Sequence, residues 1–288
     1  MTDLETPSAA DAARRAGRRR LLTLCAVLGL ALIAFGAWWF VLRDTAPATV
    51  GSDAAEAARD EALGAATDPA ASDETTAEGA EAEPGVDASA AAVADTEGVD
   101  GTWTVDTTIG TFDDACLTEV CDTTFVGFRI DEELAGIGAK TVVGRSPGVA
   151  GSMVIEGTTI VATELVADMT QLITDDANRT NAIRTQAIET AAFPEARFTL
   201  TEPIELGALP ADGEEIDVDA TGELTIHGVT RTETIPLTAE RAGDVIVVFG
   251  QLGPILLADY DIDEPTAAVV LSVEDNAIME LQVFFRRG

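Results

Sequence analysis

The chain is poor in basic residues, and this shortage excludes several kinds of partner. Lys and Arg together number 17 against 51 Asp and Glu, which gives a formal net charge of −34. Binding to a phosphate backbone requires clustered cations, so a nucleic acid is excluded as a partner. Electrostatic docking onto anionic lipid is disfavoured for the same reason. We interpret the acidity as a property that keeps the protein soluble.

The sequence also lacks the motifs of common enzymes. It has no glycine-rich phosphate loop, no G-x-S-x-G segment and no cluster of metal ligands. Acids are so abundant that paired carboxylates carry no information. The single histidine, His227, lies at a turn-like position between two predicted strands, where a turn or packing role is expected. The sequence therefore predicts a protein that is not an enzyme and has no metal and no cofactor.

Cysteine is scarce as well, with three in the chain. Cys116 and Cys121 lie close together in a part of the chain that we place outside the cytoplasm. Thiols in such a compartment are normally oxidised, so a disulfide between them is expected. Free thiols are the alternative. A zinc site has less support, because it would need two further ligands and the chain has one histidine. A redox-active pair also has less support, because the spacing is not C-x-x-C. The third cysteine, Cys25, falls in an apolar run.

That apolar run, residues 21–42, is the one segment suited to crossing a membrane. It contains 22 residues without a charge, and a helix of that length covers about 33 Å, enough for a hydrocarbon core of about 30 Å. Arg14, Arg15, Arg18, Arg19 and Arg20 precede it, so the positive-inside rule places residues 1–20 in the cytoplasm and the main domain outside. A cleaved signal peptide is the competing interpretation. The run is long for one, and no clear cleavage site follows.

Residues 43–100 are predicted to be an acidic disordered linker. The part from residue 44 to residue 100 holds fifteen acids and one arginine, with no aromatic residue. Such a composition cannot bury enough apolar surface to offset the entropy of the chain.

Residues 101–288 show the pattern of a β-rich domain. Short runs of β-branched and aromatic residues alternate with Gly, Pro and Asp. The predicted strands are 102–107, 123–130, 151–155, 158–169, 197–201, 216–227, 232–240, 244–250, 266–273 and 278–285. Residues 176–192 are predicted to form one helix, with Ile183 and Ile188 on its apolar side. Many strands with short connections and one inserted helix favour a closed antiparallel barrel.

Four segments of this domain resemble the YceI-like family of extracytoplasmic lipid-binding domains. They are residues 102–106 (TWTVD), 124–130 (TFVGFRI), 192–198 (AFPEARF) and 222–231 (GELTIHGVTR). The resemblance covers nearly all of residues 101–288. It implies an eight-stranded, lipocalin-like antiparallel barrel whose lumen holds a long isoprenoid chain.

Strand alternation then predicts which side chains line the lumen, because successive residues of a strand point to opposite faces. The candidates are Val126, Phe128, Ile130, Met153, Leu165, Met169, Phe198, Leu200, Leu224, Ile226, Leu281, Val283 and Phe285. Arg179, Arg184 and Arg231 are candidates for an anionic head group.

The leading hypothesis is a membrane-anchored, extracytoplasmic binding protein for a polyisoprenoid or a similar long-chain amphiphile. Two alternatives remain: a structural or interaction protein of the cell envelope with a packed barrel and no ligand, and an enzyme acting on a lipid-linked substrate. The oligomeric state is not predicted.

Overall fold

The computed structural model describes residues 46, 47, 49–51, 99–136, 138–266 and 270–288. Within that part of the chain, no helix has the length and apolar character needed to cross a membrane. The predicted cytoplasmic tail 1–20 and transmembrane segment 21–42 lie outside the described residues, as does the predicted linker apart from residues 46, 47, 49–51, 99 and 100.

The described chain is mainly β, with thirteen strands in one sheet. The strands are β1 (Gly101–Val105), β2 (Phe125–Leu134), β3 (Gly138–Ser146), β4 (Val149–Glu156), β5 (Thr159–Asp168), β6 (Ile173–Thr174), β7 (Glu195–Leu200), β8 (Ile204–Glu205), β9 (Glu215–Ile226), β10 (Val229–Ala242), β11 (Val245–Ile255), β12 (Val270–Val273) and β13 (Ala277–Arg287). Each of the ten predicted strands overlaps one of them.

Eight of these strands form a closed antiparallel barrel in the order β1-β4-β5-β7-β9-β10-β11-β13. The ring closes where β1 pairs with β13, with Val105 opposite Phe285. Closure leaves no free edge in the ring, which is the usual way in which an antiparallel sheet avoids edge-to-edge association. The predicted eight-stranded barrel is therefore confirmed.

The other strands are additions to this ring. β2 pairs with β13 between Ile278 and Gln282, next to the position where β1 pairs with β13. β3 follows β2 and β6 follows β3, while β12 pairs with β2 and β8 pairs with β5. β3 was not predicted, because its residues 142–146 are buried and include the polar Arg145 and Ser146, so no alternation marks it.

The predicted helix over residues 176–192 is wrong in length and type. The α-helix, α1, spans only Ala177–Ala182, and a π-helical turn follows over Ile183–Ala187. Asp176 caps α1 by accepting hydrogen bonds from the backbone N–H groups of Arg179 and Asn178, and these bonds help to lower the pKa of its carboxyl. Glu189 then adopts a left-handed conformation with φ of 49°, which a continuing helix cannot accommodate.

A loop on the outer face of the barrel carries the disulfide. Cys116 and Cys121 are bonded to each other, as predicted, and both are buried against Phe125. Val50 packs on the same outer surface, and the Pro47 carbonyl accepts a hydrogen bond of 2.8 Å from Arg129 Nη1. The described residues of the segment 46–51 thus lie against the barrel.

Asp106, just after β1, ties this loop to the last strand. Its carboxylate accepts hydrogen bonds from the Thr108 N–H at 2.8 Å, the Thr108 hydroxyl at 2.6 Å and Arg286 Nε at 2.7 Å. Burial opposes ionisation, but these bonds outweigh it and hold the pKa of the Asp106 carboxyl below its ordinary value.

Asp106→Asn is expected to lower the free energy of unfolding at pH 7 by about 1–3 kcal/mol, because it removes charge-assisted bonds at a buried site. A depressed carboxyl pKa stabilises the fold above the unfolded value, and this stabilisation is lost as the pH falls through the folded value. The difference between variant and wild type should therefore shrink below about pH 4.

Denaturant unfolding at pH 7 and pH 3 measures this difference. The control is Asp244→Asn, which removes an exposed carboxylate bonded to the same Arg286 at 3.0 Å and should have little effect. Equal stability of Asp106→Asn and wild type at pH 7 would contradict the role given to Asp106.

Candidate functional site

The inner face of the barrel is a continuous apolar surface. Four clusters of buried side chains are linked by shared neighbours: Leu165, Leu237 and Leu281 join the first two, and Val126, Ala196 and Phe128 extend the contacts to the others. Residues from strands that are not neighbours in the ring meet in these clusters, so the surface lies inside the barrel. A separate cluster that includes Val247 and Phe284 faces outward.

All thirteen predicted lumen residues lie on this inner surface. Met153, Val283 and Phe285 belong to the first cluster; Phe198, Leu200, Leu224 and Ile226 to the second; Met169 to the third; and Ile130 to the fourth, while Val126, Phe128, Leu165 and Leu281 each connect two of them. Met169 reaches the surface from a 3-10 turn and not from a strand as predicted. That these residues contact a ligand stays a prediction.

The inner surface is closed at one end and less tightly filled toward the other. Along β13, Phe285 and Val283 are 2% and 0% exposed, whereas the next inward residues, Leu281 and Met279, are only partly buried. Trp103 fills the closed end with 0% exposure, and its indole N–H donates to the Val99 carbonyl at 2.9 Å. Exposed apolar surface inside a barrel indicates space that a guest can occupy.

Several lining residues were missed from the sequence. Trp103, Ile155, Ile246 and Val248 are all buried in the first cluster. Ile246 and Val248 alternate with the outward-facing Val245 and Val247. Because all four residues are apolar, the sequence does not show which of them point inward. In the structure Val248 pairs with the inward-facing Val283, and this pairing places Val248 and Ile246 on the inner face.

A polar pair lies at the edge of this surface. The Tyr260 ring packs among the apolar residues of the second cluster, and its hydroxyl donates to the Glu233 carboxylate at 3.0 Å. Burial, together with this carboxylate, raises the pKa of the Tyr260 hydroxyl well above its ordinary value. The hydroxyl therefore stays protonated and acts as a hydrogen-bond donor.

The three arginines predicted for a head group do not converge on one position. Arg179 forms ion pairs with Glu132 at 2.6 Å and Asp175 at 2.5 Å. Arg184 Nε donates to the Leu172 carbonyl at 2.7 Å. Arg231 pairs with Asp259 at 3.4 Å and lies over the Tyr260 ring. Of the three, Arg231 is the most suited to a head group, since its side chain is 43% exposed beside the second cluster.

His227 occupies the turn between β9 and β10, as predicted. Its ring nitrogens contact the Glu189 carboxylate and the Tyr260 carbonyl, not a hydroxyl or thiol that it could activate as a nucleophile. In the described part of the chain, no group of three or more His, Cys, Asp or Glu side chains could hold a metal ion.

A cleft of about 560 Å³ lies on the outer side of the barrel, between Val50 and strands β9 to β11. Glu215, Asp217 and Asp219 form one wall of this cleft. A carboxylate wall disfavours an anionic amphiphile, so the inner apolar surface is the better candidate site.

Residues 118–285 match the sequence profile of the YceI-like domain. None of the curated proteins matches the chain.

Three solved structures illustrate the similarity. A polyisoprenoid binding domain from Saccharophagus degradans is 19% identical, covering 65% of this chain and 98% of that chain, with a TM-score of 0.47. Burkholderia cenocepacia BcnA is 16% identical, covering 60% and 99%, with a TM-score of 0.43. The YceI protein of Campylobacter jejuni is 15% identical, covering 50% and 84%, with a TM-score of 0.41. Because the family profile matches more than half of the chain and the fold is an eight-stranded antiparallel barrel, the chain belongs to the YceI-like domain family.

Proposed function

We propose that this protein is membrane-anchored and holds a polyisoprenoid or a similar long-chain amphiphile in the barrel lumen, outside the cytoplasm. One observation carries the proposal: apolar side chains from strands that are not neighbours in the ring, such as Leu165 and Leu281, point inward and keep part of their surface exposed. Each buried CH₂ of a guest contributes about 0.8 kcal/mol. A linear chain fits a lumen that is closed at the Trp103 end.

The anchor and the location are supported by the sequence. The uncharged run of residues 21–42 follows five arginines, and this order favours a single membrane-spanning helix with the barrel on the outer side. Hydrolysis of a lipid-linked substrate has no support in the site. The His227 ring contacts the Tyr260 carbonyl and the Glu189 carboxylate, and the Tyr260 hydroxyl donates to Glu233, so neither side chain is placed to activate a nucleophile.

Quenching of Trp103 tests the proposal. The full chain carrying Trp38→Phe and Trp39→Phe has Trp103 as its one tryptophan. In lipid nanodiscs, a long-chain prenyl alcohol brominated at its apolar end should quench this fluorescence saturably, since the chain ends beside the closed end of the lumen. A short brominated alcohol of the same head group is the control. A barrel packed without a ligand site would show no saturable quenching.

A further inference from the structure

The end of the barrel opposite Trp103 is covered by two segments that are not strands of the ring. The first cap segment, residues 175–194, contains α1 and the π-helical turn. The second cap segment, residues 256–266, follows β11 and contains a 3-10 turn over Leu257–Tyr260. Both segments lie near the start of β10 and the end of β9, far along the strands from Trp103.

Each cap segment places apolar side chains against the inner surface. Ile183, which is 6% exposed, belongs to the third cluster, against which Val126 and Phe128 pack. Tyr260 belongs to the second cluster with Phe198, and Ile262 packs against that cluster. These contacts close the less tightly filled end of the lumen, so a ligand must displace at least one of the two segments to enter there.

His227 joins the two cap segments to each other through its ring. Its Nε2 lies 3.0 Å from Glu189 Oε2 on the first segment, and its Nδ1 lies 3.2 Å from the Tyr260 carbonyl on the second. The Phe193 ring packs edge-on at 4.4 Å, and the His227 side chain is 8% exposed. Both ring nitrogens therefore lie within hydrogen-bond distance of an oxygen atom, one on each cap segment.

The backbone is unusual at this junction and at Asp261, the residue after Tyr260. Among the described residues, Glu189, His227 and Asp261 are the three non-glycine residues with a left-handed φ, at 49°, 50° and 52°. One lies on each cap segment, and the third is the histidine between them. Such conformations persist where surrounding contacts hold them, so the contacts at this junction hold the cap segments in their observed conformation.

A second contact joins the cap segments directly. The Gln186 side-chain oxygen accepts from the Thr266 N–H at 3.1 Å and lies 3.3 Å from the Thr266 hydroxyl. This contact and those of the histidine ring are polar, whereas the contacts of the cap segments with the inner surface are apolar.

We propose that the two cap segments form a lid over the entrance of the lumen, and that His227 is the latch that sets how often this lid opens. The proposal rests on the proposed ligand-binding function and adds the route and control of ligand exchange. It assigns His227 a positioning role through Glu189 and Tyr260, without contact with the reacting or bound molecule.

His227→Asn tests the latch. Asparagine accepts the left-handed backbone but is too short to reach both acceptors. In the full chain with Trp38→Phe and Trp39→Phe, both binding and release of the brominated prenyl alcohol should become roughly tenfold faster, while the affinity changes little. The control Thr232→Asn, at an exposed position of β10, should change neither rate. Unchanged rates in His227→Asn would overturn the proposal.

A locked lid gives the opposite result. Gln186→Cys with Thr266→Cys, in a Cys25→Ser background and joined by a short bifunctional thiol-reactive cross-linker, should hold the cap segments together and slow exchange strongly relative to the matched pair Gln186→Ser with Thr266→Ser treated in the same way. Exchange at the same rate in the cross-linked protein would show that the ligand enters elsewhere.

Hydrogen exchange separates a failure of the lid from a failure of the function. If no variant binds the prenyl alcohol, ligand binding itself is wrong. Amide exchange of residues 183–194 and 257–262 in the ligand-free full chain should still be faster in His227→Asn than in wild type, with residues 245–249 unchanged. No such difference would overturn the latch independently of any ligand.

Discussion

Glu280→Ala is expected to lower the free energy of unfolding by about 3–5 kcal/mol, because it leaves two buried guanidinium groups without their shared carboxylate. Glu280 lies on the outward side of β13 with 0% side-chain exposure. Its Oε2 accepts from Arg129 Nε at 2.8 Å, and its Oε1 lies 2.7 Å from Arg145 Nη2. Denaturant unfolding of the variant and of wild type measures the loss.

The surroundings explain why the loss should be large. The Arg145 side chain is 2% exposed, lies 4.1 Å from the Phe125 ring centroid and donates to the Cys116 carbonyl. Burial lowers the pKa of the Arg145 guanidinium, and the Glu280 charge opposes that shift. Without Glu280, water must enter the site or the disulfide loop must move away from the barrel.

Two further variants separate charge from packing. Glu223→Gln removes an exposed carboxylate from β9 and should change stability by less than about 0.5 kcal/mol. Replacing Arg129, Arg145 and Glu280 together by methionine should cost less than Glu280→Ala alone, since no buried charge is left unpaired. A triple variant that is less stable than Glu280→Ala would contradict the electrostatic explanation.

Ala196→Phe is expected to weaken binding of a long prenyl chain at least roughly 15-fold. Ala196 lies on the inward side of β7, is partly buried and touches both the second and the third cluster. A phenyl ring there occupies the volume of at least two ligand carbons, and each carbon contributes about 0.8 kcal/mol. Saturable quenching of Trp103 in the Trp38→Phe, Trp39→Phe chain gives the affinity.

The matched control adds the same ring to the outer face of the barrel. Ala162 lies on β5 and is exposed, so Ala162→Phe should leave binding unchanged. Thermal unfolding of both variants shows whether each is folded, because an enlarged core residue typically costs about 1–3 kcal/mol. Full affinity in a folded Ala196→Phe variant would mean that the ligand does not lie in the lumen.

The strands and their inward faces could be predicted because both depend on a local period of two. The candidates Leu224 and Ile226 on β9, and Leu281, Val283 and Phe285 on β13, follow that period without a break. β3 could not be predicted from this period, because the charged Arg145 is buried there. Its partner is the Glu280 carboxylate of β13, 135 residues later in the sequence. No local pattern shows that a charged residue will be paired inside the fold.

The end of α1 and the role of His227 also depend on distant contacts. Ile183 and Ile188 both pack in the third cluster, as their spacing predicts. The Ile188 N–H, however, bonds to the Ile183 carbonyl five residues earlier, which makes a π-helical turn. The partners of His227 are 38 and 33 residues away along the chain. A single histidine between two strands carried no sign of either partner.

Native mass spectrometry of the full chain, released from nanodiscs after titration with a long-chain prenyl alcohol, shows directly whether the barrel holds a ligand. We expect one bound chain per protein in wild type and in Ala162→Phe, and a much smaller bound fraction in Ala196→Phe. A wild-type protein that stays free of ligand at every concentration, or equal occupancy in Ala196→Phe, would contradict a ligand site inside the barrel.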